Sequence, residues 1–137
     1  VAGHALNNYD RTHCGYFGRL VIDVNYLAVT AACMMVKTTD FQAVNGFDET
    51  LEVAFNDVDL CLKIYELGRF NVYAHQVELY HFESKSRGYE DTPEKQKRFA
   101  GEIKKMQDKW PVYIAHDPFY NDNLTKEGIG DFSLRPD

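Results

Sequence analysis

The chain has 137 residues, 21 of them acidic and 15 basic, so its formal charge is −6. That length fits one domain or part of one and suffices for a real core. The apolar share of 45% excludes a disordered chain, and the net negative charge argues against nucleic acid as a partner. The longest nearly apolar run, Tyr26 to Val36, is 11 residues, well short of the roughly 20 that span a bilayer. No basic-then-apolar start marks a signal peptide. Cys14, Cys33 and Cys61 are far apart and odd in number, which points to a reducing compartment rather than a disulfide framework or zinc site. Cys33 and Cys61 lie in apolar runs and read as small buried hydrophobes.

Residues 1–19 show no clear period; Gly3, Gly15 and Gly18 among polar residues read as loop. A chain that begins with Val1 in a loop is expected to be a fragment of something longer. The first expected element is a strand from Leu27 to Val36, where apolar residues crowd without alternation, as in a strand buried on both faces. A short helix follows, capped by Thr38 or Thr39, with Asp40 in its first turn, Phe41 and Val44 inward, and Gly46 as its stop. A second helix is expected from Asn56 to Leu67. Asn56 and Asp57 are its cap candidates, Gly68 closes it, and apolar residues on two stripes make it largely enclosed. Short strands are expected at Phe70 to Tyr73 and Val77 to His81, then a polar loop from Ser84 to Asp91. Thr92-Pro93-Glu94 starts a third helix, whose Phe99, Ile103, Met106 and Trp110 share one face, and Pro111 ends it. From Glu94 to Lys109 this helix carries six basic and three acidic residues, read as a solvated face. Residues 112–137 read as an irregular C-terminal tail. Alternating strands and helices make the fold class α/β.

Some residues can carry chemistry. Asp57 and Asp59 place two carboxylates in the first turn of an enclosed helix, where the helix dipole favours anions. Caps and dipole partners are the plain reading; a general base held rigidly beside a hydroxyl is the functional one. Being two residues apart on a helix, they point in different directions and cannot share one job. His81, at the end of an expected strand, is either structural or one ligand of a metal that takes carboxylates from elsewhere. Lys85 and Arg87, beside Gly88, belong either to a solvated loop or to a lid closing on phosphate. Walker and dinucleotide glycine patterns are absent.

Four ordered stretches fit together: 28–33 (AVTAAC), 45–49 (NGFDE), 53–62 (VAFNDVDLCL) and 79–84 (LYHFES). They resemble the C-terminal half of bacterial family 2 glycosyltransferases, inverting enzymes of the GT-A fold, and within them the O-antigen and rhamnan-synthesis type. Residues 86–95 (SRGYEDTPEK) and 117–121 (DPFYN) extend the resemblance, which covers about Gly15 to Leu134. Asn56 stands where many members have Glu, and Asn121-Asp122-Asn123 where a proline is usual in the middle.

The resemblance implies a partial GT-A-like fold, a mixed sheet with packing helices that forms the acceptor-side half only, residues 1–137 being the C-terminal part of a single domain. It implies transfer of a sugar from a nucleotide-sugar donor to a saccharide or lipid-linked acceptor, with inversion, in cell-surface polysaccharide synthesis. Asp57 would be the base, Asp59 would orient the helix start beside Asn56, and the small Ala31 and Ala32 would let sugar approach. Lys85 and Arg87 would close on the diphosphate. His81 would be a late ligand of a divalent metal, Mn²⁺ or Mg²⁺. The family's nucleotide-binding half, with its Asp-x-Asp-type motif, has no counterpart before Leu27, so this piece is expected to be inactive alone and to self-associate through an uncovered sheet edge. The setting implied is the cytoplasm or the inner face of the membrane. The alternative from another class is a non-catalytic carbohydrate-binding or assembly module on the same fold.

Overall fold

The computed structural model describes residues 1–6, 9–80, 92–126 and 132–135. It is a mixed α/β arrangement: strands β1 (Val24–Tyr26) and β2 (Asn71–Tyr73), and helices α1 (Thr38–Ala43), α2 (Asn56–Glu66), α3 (Pro93–Lys109) and α4 (Pro111–Ala115). β1 and β2 pair antiparallel, with Val24 opposite Tyr73 and Tyr26 opposite Asn71.

The expected strand from Leu27 to Val36 does not form. β1 ends at Tyr26, residues 31–33 make a 3₁₀ turn, Cys33 is exposed, and Met35 is 99% exposed. The reading of Cys33 as a buried hydrophobe fails with it. The hydrogen bonds of this run go to side chains instead of a neighbouring strand. Asn71 Nδ2 donates to Leu27 O at 2.9 Å, Cys61 Sγ sits 3.5 Å from both Val29 N and Val29 O, and Ala31 N donates to Asp57 Oδ2 at 3.0 Å. The spacing explains the register. An extended chain advances roughly 6.6 Å over two residues, and a helix rises about 6 Å over four. Val29 and Ala31 can therefore each meet one of Cys61 and Asp57, one turn apart on α2.

α1 begins at Thr38 with Lys37 in the cap position and no side-chain cap bond, so neither threonine caps it. It ends through Asn45 and Gly46, both at positive φ. A Cβ at Gly46 would lie 2.9 Å from the Phe41 ring, so only glycine fits this turn. The strand expected at Val77 to His81 is also absent over its described part, where Val77, Leu79 and Tyr80 are exposed. α3 matches expectation: Thr92 Oγ1 accepts from Lys95 N, Pro93 opens the helix, and Pro111 follows its end by starting α4.

The main core gathers Leu27, Leu51, Leu62 and Met106, with Phe55, Val58, Tyr65 and Trp110 packed against it. It seats α2 on α3. A second cluster of Leu6, Leu124 and Phe132 ties the start of the chain to the tail, where Leu124 and Leu134 form an isolated bridge.

Candidate functional site at the start of helix α2

α2 is enclosed, with Asp59, Leu60, Cys61, Leu62 and Ile64 buried. Its N-cap is not Asn56 or Asp57 but Phe55, held in the left-handed region at φ 63°. A non-glycine residue there is strained and persists only where its surroundings dictate it. Here the Phe55 ring stacks on Phe99 with centroids 5.5 Å apart, and its carbonyl accepts from Asp59 N at 2.8 Å. Just upstream, the Glu102 carboxylate accepts from Val53 N at 3.0 Å and Ala54 N at 3.1 Å, one oxygen to each. Glu102 is 2% exposed.

Since Phe55 has no capping group, the first-turn N–H groups are satisfied otherwise. Asn56 Oδ1 accepts from Asp57 N at 2.8 Å, and Asp57 Oδ1 accepts from Val58 N at 2.9 Å. Asp57 Oδ2 reaches out to Ala31 N. Thus the structure brings together Asn56, Asp57 and Ala31, three of the residues singled out in the sequence. Asp57 is half-buried, and Ala31, Ala32 and Cys33 beside it are exposed. A carboxylate has about four lone-pair positions. The two amide bonds orient Asp57 and leave it acceptor capacity toward this open, small-residue surface.

Asp59 has a different setting. It has no exposed surface. Its Oδ1 accepts from Trp110 Nε1 at 2.8 Å and pairs with Lys109 Nζ at 2.7 Å. Lys63 Nζ lies 3.1 Å from Oδ2, near enough to pair but off hydrogen-bond alignment. Lys109 also reaches Asp48 Oδ2 at 2.9 Å. Burial pushes Lys109 down, but the hydrogen bonds and charges of Asp59 and Asp48 outweigh it and hold its pKa up. Lys109 and Thr50 keep the Asp48 carboxyl far below the usual carboxylate range. Asp59 therefore fastens the helix start to α3 and cannot touch a substrate in this conformation. Burial pushes the Cys61 thiol up, against the effect of its Val29 hydrogen bond.

His81, Lys85 and Arg87, with the loop from Ser84 to Asp91, lie outside the described residues. Among the described residues no group of three or more His, Cys, Asp or Glu is placed to hold a metal ion, and no helix is long and apolar enough to cross a membrane. Sequence reasoning missed Glu102. It sits between Phe99 and Met106 on the inward face of α3, and that position was its available signal.

No family model matches the chain, and no solved structure does. It is 51% identical over 128 residues to the uncharacterized protein y4gI of Sinorhizobium fredii, an alignment covering 93% of this chain and 14% of that protein. It is 33% identical over 117 residues to the O-antigen biosynthesis protein RfbC of Myxococcus xanthus, covering 80% of this chain and 8% of that one. The chain thus spans a small part of the length of the curated relatives it matches.

Proposed function

We propose that this chain is the acceptor-side part of an inverting glycosyltransferase of the GT-A, family 2 type, acting in cell-surface polysaccharide synthesis, with Asp57 as general base. The observation that carries the reading is the half-buried Asp57 carboxylate, oriented by the Ala31 and Val58 amides at the mouth of an enclosed helix. Similarity to an O-antigen biosynthesis protein supports the substrate class. In the reaction, an acceptor hydroxyl gives its proton to Asp57 as its oxygen bonds the anomeric carbon. The bond from that carbon to the diphosphate breaks, and the nucleoside diphosphate leaves with the electron pair. A base works only within about 3 Å of the proton it takes, which is the use of a carboxylate fixed by two amides and a doubly anchored helix start.

Beside it, Asn56 and Ala31 shape the acceptor approach and Asp59 holds the helix. Lys85 and Arg87 are proposed to pair with the donor diphosphate, and His81 to contribute to a divalent-metal site. Mn²⁺ or Mg²⁺ would supply charge neutralisation at the diphosphate. The described residues make no such site by themselves, so no step is assigned through the ion.

The test is a transfer assay on the longest polypeptide carrying this segment, with a panel of nucleotide sugars and polysaccharide acceptors from the same cells. Turnover of one donor with inverted anomeric configuration is expected. Saccharide binding with no turnover of any donor would instead favour the carbohydrate-binding module.

A further inference from the structure

At the far end of α2 from Asp57 lies an open cavity of about 310 Å³, at the lower end of the size range of small-molecule sites. It is lined by Tyr65, Glu66, Gly68, Arg69, Phe70 and Tyr113. The aromatic part is a fixed cluster. Tyr65 meets Phe70, Tyr113 and Phe119 at centroid distances of 6.4, 5.7 and 5.7 Å, and Phe70 meets Phe119 at 6.2 Å. Phe70 is nevertheless 62% exposed, so ring surface faces solvent from a packed base. The polar part is one carboxylate and one guanidinium. Glu66 Oε1 accepts from the Tyr113 hydroxyl, and Arg69 contacts Asp40 through Nε at 3.4 Å.

We propose that this pocket is a saccharide subsite, taking a pyranose ring of the acceptor chain against Phe70 and Tyr113, a role that rests on the glycosyltransferase reading for its place in the reaction. The chemistry matches a sugar in three ways. A pyranose has a face of C–H groups that packs on an aromatic ring, whose π face is electron-rich. Its neighbouring hydroxyls donate to a carboxylate, which has acceptor capacity beyond the single Tyr113 bond. Arg69 supplies a planar donor for sugar oxygens. An aliphatic ligand would make no use of the remaining hydrogen-bonding capacity of Glu66 and Arg69, and a simple anion would meet the Glu66 carboxylate. The position also fits. Tyr65 is eight residues beyond Asp57, so the pocket lies roughly 12 Å along the same helix from the proposed base. It is a place for acceptor units behind the one that reacts.

The experiment is an NMR titration of the 137-residue chain, without donor, with rhamnose-, mannose- and galactose-based trisaccharides, observing aromatic side-chain resonances. At least one trisaccharide should shift Tyr65, Phe70 and Tyr113 saturably in the millimolar range. Phe70→Ala and Glu66→Gln should each weaken that binding tenfold or more. Phe70 is too exposed for its loss to unfold the chain, and Gln keeps an acceptor for Tyr113; far-UV circular dichroism checks both. Lys104→Ala, an exposed residue of α3 outside the pocket, should bind as wild type. No saturable shift with any trisaccharide, or unchanged affinity in both variants, would overturn the subsite. Binding is read without turnover, so an inactive Asp57 and an empty pocket give separate results.

Discussion

Glu102 holds the entry to α2, and replacing it with glutamine removes half of that hold. The wild-type carboxylate gives one oxygen to each of two N–H groups, Val53 and Ala54, at 3.0 and 3.1 Å. An amide keeps one oxygen and turns an NH₂ toward the other N–H. One hydrogen bond to a charged group is lost, which costs about 1.5–3 kcal/mol. The site is nearly sealed, so water does little to repair it. A loss of about 2 kcal/mol is expected. Unfolding entropy of about 2.1 cal/mol/K per residue, over 137 residues, converts this to a fall in Tm of about 7 °C. The assay is urea unfolding followed by Trp110 fluorescence, with thermal melts alongside. The control is Asp108→Asn, which breaks an exposed i,i+4 pair with Lys104 and should cost about 0.3–0.5 kcal/mol. If Glu102→Gln costs no more than Asp108→Asn, the clamp does not hold the helix start.

Other outcomes follow from the same geometry. Asp48 is held below its unfolded pKa, so its stabilisation is full above the usual carboxylate range and is lost as pH falls through the folded value; Asp48→Asn should flatten the acid limb of a stability-against-pH curve below about pH 4. An aromatic disulfide reagent should label Cys14 and Cys33 rapidly and Cys61 only on unfolding, because Cys61 is 2% exposed and burial raises its pKa; fast labelling of three thiols in the native chain would contradict the packing of α2. Val21, Ile22, Val72, Val77, Leu79 and Tyr80 are exposed in and around the short sheet, so the chain should self-associate in sedimentation experiments as concentration rises; a clean monomer throughout would count against it.

Helices α1, α2 and α3 were legible because their signals are local, whereas α4 was not and lies where an irregular tail was expected. Thr92-Pro93 set the start of α3, Gly68 the end of α2, and two apolar stripes its burial. The strand from Leu27 to Val36 was misread because an apolar run of small residues states burial but not its partner. Its first part is held by α2 side chains and by Asn71, and most of the rest is exposed around a turn, with Met34 and Val36 half-buried. Asp57 and Ala31 were singled out through the family resemblance, and a hydrogen bond joins them in the fold. Glu102 was not, because a glutamate in a charged helix reads as solvated until the backbone it clamps is known. The positive φ of Phe55 has the same origin: it is imposed by Phe99 and Glu102, more than forty positions away in the chain.

The central claim is that Asp57 takes the acceptor proton while Asp59 only holds the helix. The most direct measurement is sugar transfer by Asp57→Asn and Asp59→Asn in the longest active polypeptide, with donor affinity and melting temperature read on each. Asp57→Asn should lower turnover by about 10²–10⁴-fold with donor affinity nearly unchanged, and should cost about 1 kcal/mol of stability because the amide keeps only one of the two N–H partners. Asp59→Asn should cost roughly 3 kcal/mol of stability, because it leaves Lys63 and Lys109 without their shared carboxylate, and should keep turnover per folded molecule. Full transfer by Asp57→Asn, or a folded Asp59→Asn that alone fails to transfer, would contradict the assignment.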